Sequence, residues 1–110
     1  MERDPELNLA KLVAHPIRLA ILLTLVARDT ASLSDLEKLL GVPRQTIHTH
    51  LRKLVEGGLV VRRISLSPRP RPVYCFNWGR AEDVLRVLRS LRSRIDEVLK
   101  SIEERAVRES

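Results

Sequence analysis

The sequence predicts a mainly α chain with one small β-hairpin (α+β), ending in a long helix. Three observations predict this. Apolar residues recur at helical spacing as far as Gly57-Gly58. The period then becomes two over LVVRRISL (59–66) and VYCFNW (73–78), on either side of SPRPRP (67–72). From about Arg80 the helical period returns, with Val84, Leu88, Leu91, Ile95, Val98 and Ile102 spaced 4, 3, 4, 3, 4. A length of 110 residues suits one small domain with an appended element, expected as 1–79 and 80–110. A hydrophobic fraction of 44% with 31% charge is globular rather than disordered.

In chain order, a short helix is expected around Leu7 to Ala14. His15-Pro16 interrupts it, because proline disfavours the helical region for its predecessor and suits a new first turn. The next helix runs from Pro16 to about Arg28 and is apolar nearly all round, so it should be buried on more than one side, the second against another subunit. Asp29 to Ala31 is a turn. SLSDLE offers two overlapping capping boxes, Ser32 with Asp35 and Ser34 with Glu37, and starts a helix with Leu36, Leu39 and Leu40 inward. Gly41 ends it, Pro43 opens the next helix, and Gly57-Gly58 closes that one. Two short helices about a tight glycine turn make a helix-turn-helix.

The three prolines of SPRPRP exclude a central strand, so strand, tip and strand read as a hairpin, or wing. Tyr74, Phe76 and Trp78, the only aromatics, are expected on one face of its second strand. The last helix carries a heptad seam. Its 26 residues from Ala81 to Ala106 extend about 39 Å, longer than the domain needs, which favours pairing with a second copy.

The charge is segregated. Between Arg44 and Pro72 lie seven basic residues and one acid, a net +6, while the remainder has thirteen of each sign. A polyanion-binding face explains that distribution; a merely solvated surface gains nothing from it. On the helix from Pro43 to Glu56, Ile47, Leu51 and Leu54 face inward. Gln45, His48, Thr49 and Arg52 fall on the opposite side, with Arg44 and Thr46 near the first turn and Lys53 beyond. Arginine and glutamine read base edges in a major groove, and small hydroxyl residues meet phosphates or methyls. Arg69 and Arg71 sit on the proline-stiffened tip, placed for phosphate or the minor groove.

Other chemistries find little support. His48 and His50 are about 200° apart on a helix and cannot share a metal. His50 reads as a partly buried histidine bonded to backbone or phosphate; His48 stays open between a solvated and a base-contacting role. Neither a phosphate loop nor a nucleophile beside a base is recognisable, so neither an enzyme nor a cofactor is expected. The single cysteine, Cys75, forms no internal disulfide and fits a reducing, cytoplasmic setting, with redox sensing left open. MERDPELN is not a signal sequence, and the longest apolar run, Leu19 to Ala27, is too short to span a membrane.

HPIRLAIL, LEKLLGVPRQTIHTHLRKLVEGGLVVRR and RPVYCFN resemble the winged helix-turn-helix transcriptional regulators of the ArsR-like and MarR-like type, the small archaeal and bacterial kind. The resemblance runs from about Leu12 to Trp78. It implies a homodimeric regulator of double-stranded DNA, with Arg44, Gln45, Thr46, His48, Thr49 and Arg52 toward the DNA; a repressor is the expectation. By position, it makes the C-terminal helix the dimerisation element. The cysteines of the metal-sensing members are missing from SLSDLEKLL, so metal sensing is not implied and no effector site is identifiable. Competing readings are a protein-interaction winged helix, which does not need the charge segregation, a non-specific or chromatin-type DNA binder, and an RNA binder. The last lacks an exposed aromatic platform.

Overall fold

Asp4 starts the first helix, its carboxylate accepting the Glu6 N–H at 3.0 Å with proline in the first turn. In the computed structural model, which describes residues 4–109, α1 therefore spans Pro5–Val13 and begins two residues ahead of the expected start. The reading of MERDPELN and the outer ends of the 1–79 and 80–110 segments fall partly outside the described residues. After a bend of 88° comes α2, Pro16–Ala27. Then follow α3 (Leu33–Leu40), α4 (Arg44–Glu56), β1 (Val60–Ser65), β2 (Arg71–Phe76), a 3-10 turn (Trp78–Arg80) and α5 (Ala81–Glu109).

Of the two capping boxes in SLSDLE, the first forms. The Asp35 N–H donates to Ser32 Oγ at 3.1 Å and the Ser32 N–H to Asp35 Oδ2 at 3.0 Å. Such a cap is worth about 1 kcal/mol. On α3, Leu36 and Leu40 face the core but Leu39 is exposed, which corrects the expectation that all three face inward. Gly41 closes α3 at φ +65°, a conformation costly for any residue with a Cβ. α4 then buries Ile47, Leu51 and Leu54 almost completely, as its 4, 3 spacing requires.

The hairpin is antiparallel, pairing Val60 with Phe76 through Ser65 with Arg71. Tyr74 exchanges both backbone bonds with Ala31, at 2.8 and 3.0 Å, so β2 has a short second neighbour on the side away from β1. Pro72, two residues before Tyr74, aims its missing donor away from β1 and breaks no bond of the hairpin.

Trp78 departs from expectation. Asn77 donates to the Gly58 carbonyl at 2.8 Å and accepts from the Gly79 N–H at 3.1 Å, which ends the strand at Phe76 and opens the 3-10 turn. Tyr74 and Phe76 are buried, whereas Trp78 is 63% exposed and meets Phe76 edge-on at 4.9 Å. The core is otherwise aliphatic. It includes Val84 and Val87 of α5, with Leu88 and Leu91 packed at its border, so the first turns of α5 close the domain. Leu19, Leu23 and Val26 of α2 stay exposed, leaving that helix buried on one side. Among the described residues, no single helix is long and apolar enough to cross a membrane.

Candidate nucleic-acid interface

The inward face of α4 fixes what its outward face presents. Gln45, His48, Thr49, Arg52 and Lys53 are exposed, and Thr46 is half-buried in the first turn. The Thr49 hydroxyl donates back to the Gln45 carbonyl at 3.0 Å, which orients its methyl and lone pairs. Arg44 is exposed and meets Glu37 of α3 at 3.4 Å, a tie between the two helices of the helix-turn-helix. Arg52 lies 4.0 Å from Glu56 with both side chains largely exposed. A pair of that kind is worth about 0.5 kcal/mol, weak enough to yield to a phosphate or base.

Beside this face stands the hairpin. A shallow recess of about 130 Å³ lies between them, lined by His48, Leu51, Arg52, Val55, Arg62 and Tyr74. Arg62 is directly opposite Tyr74 in the ladder and shares its face, so His48, Arg52 and Arg62 ring one hollow. Sequence reasoning counted Arg62 in the basic segment but did not assign it to the site. The missing signal was strand phase relative to α4, which needs the fold. Arg69 is on the exposed tip. Arg71 is also exposed but begins β2, opposite Ser65, rather than lying in the loop. Its charge reaches Asp35, whose carboxyl is held below its usual range, first by the Ser32 backbone bond and then by the Ser32 hydroxyl, Arg28 and Arg71.

Behind α4 is a cluster that local spacing did not announce. Arg18 of α2 donates to the Leu12 carbonyl, at 3.4 Å to the Lys11 carbonyl, and at 3.1 Å to His50 Nδ1. A guanidinium only donates, so Nδ1 accepts and the ring proton is assigned to Nε2. One side chain thus binds the carbonyl end of α1, where a cation is favoured, to the middle of α4. His15 caps α2 by accepting the Ile17 N–H at 3.1 Å, and its ring lies 4.2 Å from that of His50. His50 is therefore held by a guanidinium, not by backbone. Burial pushes its pKa below the usual value, and the positive fields of His15, Arg18 and Lys53 push the same way.

The remaining candidates are dispersed. Among the described residues, no group of three or more His, Cys, Asp or Glu is close enough to hold a metal ion. Cys75 is half-buried in β2 and its thiol points to the Val61 carbonyl at 3.8 Å. The heptad seam of α5 divides. Val84 is buried in its own domain, Leu88 and Leu91 border the core, and Ile95, Val98 and Ile102 are 58%, 57% and 61% exposed.

The family described as a helix-turn-helix domain matches residues 13–63. Among solved structures, the chain is 30% identical to a transcriptional regulator homologue from Pyrococcus horikoshii, with a TM-score of 0.70 over 86% of this chain and 98% of that one. It is also 30% identical to the transcriptional repressor BigR of Xylella fastidiosa, with a TM-score of 0.60 over 73% and 76% of the two chains. An ArsR-like transcriptional regulator from Rhodococcus is 25% identical, with a TM-score of 0.63 over 93% and 90%. Among curated protein sequences, none matches significantly.

Proposed function

Because the chain belongs to the winged helix-turn-helix transcriptional regulators and is similar to an ArsR-like one, we propose that it is a sequence-specific repressor that binds double-stranded DNA as a homodimer in the cytoplasm. The observation that carries this reading is the outward face of α4. Gln45, His48, Thr49 and Arg52 lie exposed together beside a hairpin bearing Arg62, Arg69 and Arg71, with Glu56 the only acid on the helix. A helix bearing such groups, held by a buried opposite face, can enter a major groove with Gln45 and Arg52 reaching base edges. Arg44, Thr46, Thr49 and Lys53 are suited to phosphates and groove walls, and Arg69 and Arg71 to phosphate or the adjacent minor groove.

In this reading residues 1–79 bind DNA and 80–110 pair the subunits. The exposed end of the seam, Ile95, Val98 and Ile102, supports pairing, with Val84, Leu88 and Leu91 backing it from the core. A two-fold dimer would set its reading helices in half-sites about 34 Å apart. Repression is supported by the named repressors among the similar structures.

The test is fluorescence anisotropy with the chain's own upstream intergenic DNA and a scrambled duplex. Binding of its own DNA about a hundredfold more tightly is expected, as is a larger loss of specific than of non-specific affinity in Gln45→Ala and Arg52→Ala. Equal binding of both duplexes, unchanged in the two variants, would refute sequence reading by α4.

A further inference from the structure

Two apolar surfaces are uncovered. One is the groove of about 480 Å³ between α2 and the start of α5, with Leu23 and Trp78 among its walls. It adjoins the exposed seam and belongs with the pairing of subunits. The other lies on the hairpin, beside the outward face of α4. Arg62 and Tyr74 face the recess against α4. Alternation places Ile64 and its partner Pro72 on that same face, two residues further out. Ile64 is 50% exposed, and Pro72 is exposed with it. Leu66 follows at the tip and is 75% exposed. The Ser65 hydroxyl donates to the Ser67 carbonyl at 3.3 Å, bridging Leu66, and Pro68, Pro70 and Pro72 stiffen the returning chain. A single exposed leucine is ordinary; a contiguous strip on a stiff support is not.

Charge names the occupant. Residues 58–79 carry Arg62, Arg63, Arg69 and Arg71 and no acid. Among the described residues, none of these four takes part in an ion pair. A second copy of the hairpin would bring the same charges and be repelled, whereas a polyanion is attracted. From Arg62 the strand advances about 10 Å to Ser65. With Arg62 at a phosphate strand beside α4, that advance carries Leu66 past the strand and over the next groove, the minor one, about 6 Å wide. No methyl lines a minor groove. An isobutyl side chain gains contact there with sugars or, by entering between base pairs, with base faces.

Resting on the DNA reading above, we propose that Leu66, backed by Ile64 and Pro72, is a minor-groove wedge that enters and unstacks one base-pair step beside the half-site read by α4. Pyrimidine–purine steps, TA among them, open most easily, and A-tracts resist. The wing thereby adds a sequence preference at a position where α4 touches no base edge, and it does so through the deformability of the DNA rather than through hydrogen bonds.

The experiment uses the full chain and the segment of its upstream intergenic DNA that it protects from hydroxyl radicals. Single adenines across the flanks are replaced by 2-aminopurine, which brightens when unstacked. Brightening is expected at one step in each flank, and replacing a TA step there by AA should weaken binding at least about fivefold. Leu66→Ala, at an exposed position, should lose the brightening and bind both duplexes alike. It should keep the salt slope, because no charge is removed. Leu66→Met should retain both effects, since methionine also serves as a wedge. Protection of the DNA without brightening, or brightening undiminished in Leu66→Ala, overturns the wedge and leaves the DNA reading standing. A lower mass of Leu66→Ala in light scattering would make the strip a contact between copies and also overturns it. Failure of the parent chain to bind this DNA overturns both readings.

Discussion

Replacing Arg69 and Arg71 together by alanine tests whether the hairpin touches the DNA backbone. Both side chains are exposed, one on the tip and one at the start of β2, and neither takes part in an ion pair among the described residues. Their removal should therefore cost the fold little. If each arginine neutralises one phosphate, a dimer loses four contacts, and the slope of log K against log salt becomes shallower by about 3.6. Over a fourfold rise in salt, from about 50 to about 200 mM, the variant should lose roughly two decades less affinity than the parent chain does. Anisotropy titrations on one duplex across that range measure both slopes. Lys100→Ala/Arg108→Ala, an equal charge change on α5, is the control and should leave the slope unchanged. An unaltered slope in the Arg69/Arg71 variant, with dimer mass retained, would show that the wing does not meet phosphate.

Two further outcomes follow from the packing behind α4. At Gly57 a Cβ would run into the Leu12 side chain and come within 3.3 Å of the Lys53 carbonyl. The backbone there is helical, so Gly57→Ala should gain about 0.5–1 kcal/mol from a stiffer unfolded chain and lose about 1–3 kcal/mol to overpacking. Net destabilisation is expected in urea unfolding, smaller when Leu12→Ala makes room; the same loss in both backgrounds would refute the contact. The second outcome concerns His50, whose folded-state pKa lies below its ordinary value of 6.5. Below about that pH the unfolded chain binds more protons than the folded one, so stability falls with pH until the folded-state pKa is passed, and is complete above 6.5. Asp35, also lowered, withdraws its contribution only near and below its ordinary 3.8, so the two windows separate. Thermal unfolding between about pH 5 and 8 should show the His50 slope, and His50→Gln should flatten it. An equal slope in the variant would assign the proton to another group.

How much could be read in advance depended on the range of the signals. Ser32, Gly41, Pro43 and Gly57-Gly58 act on their own neighbours, so the helix-turn-helix and its boundaries were legible to within a residue or two. The inward triad Ile47, Leu51 and Leu54 fixed the outward face of α4 by periodicity alone. Trp78 was misplaced because alternation says nothing about where a strand stops; the two bonds made by Asn77 decide that. Leu39 and Leu40 lie on opposite flanks of Leu36, and which flank meets the core depends on how α3 docks rather than on its own spacing. The contact between Arg18 and His50 spans 32 residues, and the place of Arg62 beside α4 depends on how the hairpin docks. Neither leaves a trace in local spacing. The heptad seam was visible, but its division into a core-facing start and an uncovered end depends on how far the domain reaches along α5.

Trp78 is the only tryptophan in the chain, and it stands at the mouth of the α2–α5 groove with its indole mostly in water. The chain therefore has a native optical probe at the one place where a neighbour would change the local polarity. Its emission should sit at the red end when the groove is wet and move to the blue when apolar side chains cover it. A simple dilution series then reads association without a label, an added thiol or DNA. Phe76, buried and edge-on to the ring at 4.9 Å, borders the indole on its protein side, so the other side is left to solvent or to a neighbour.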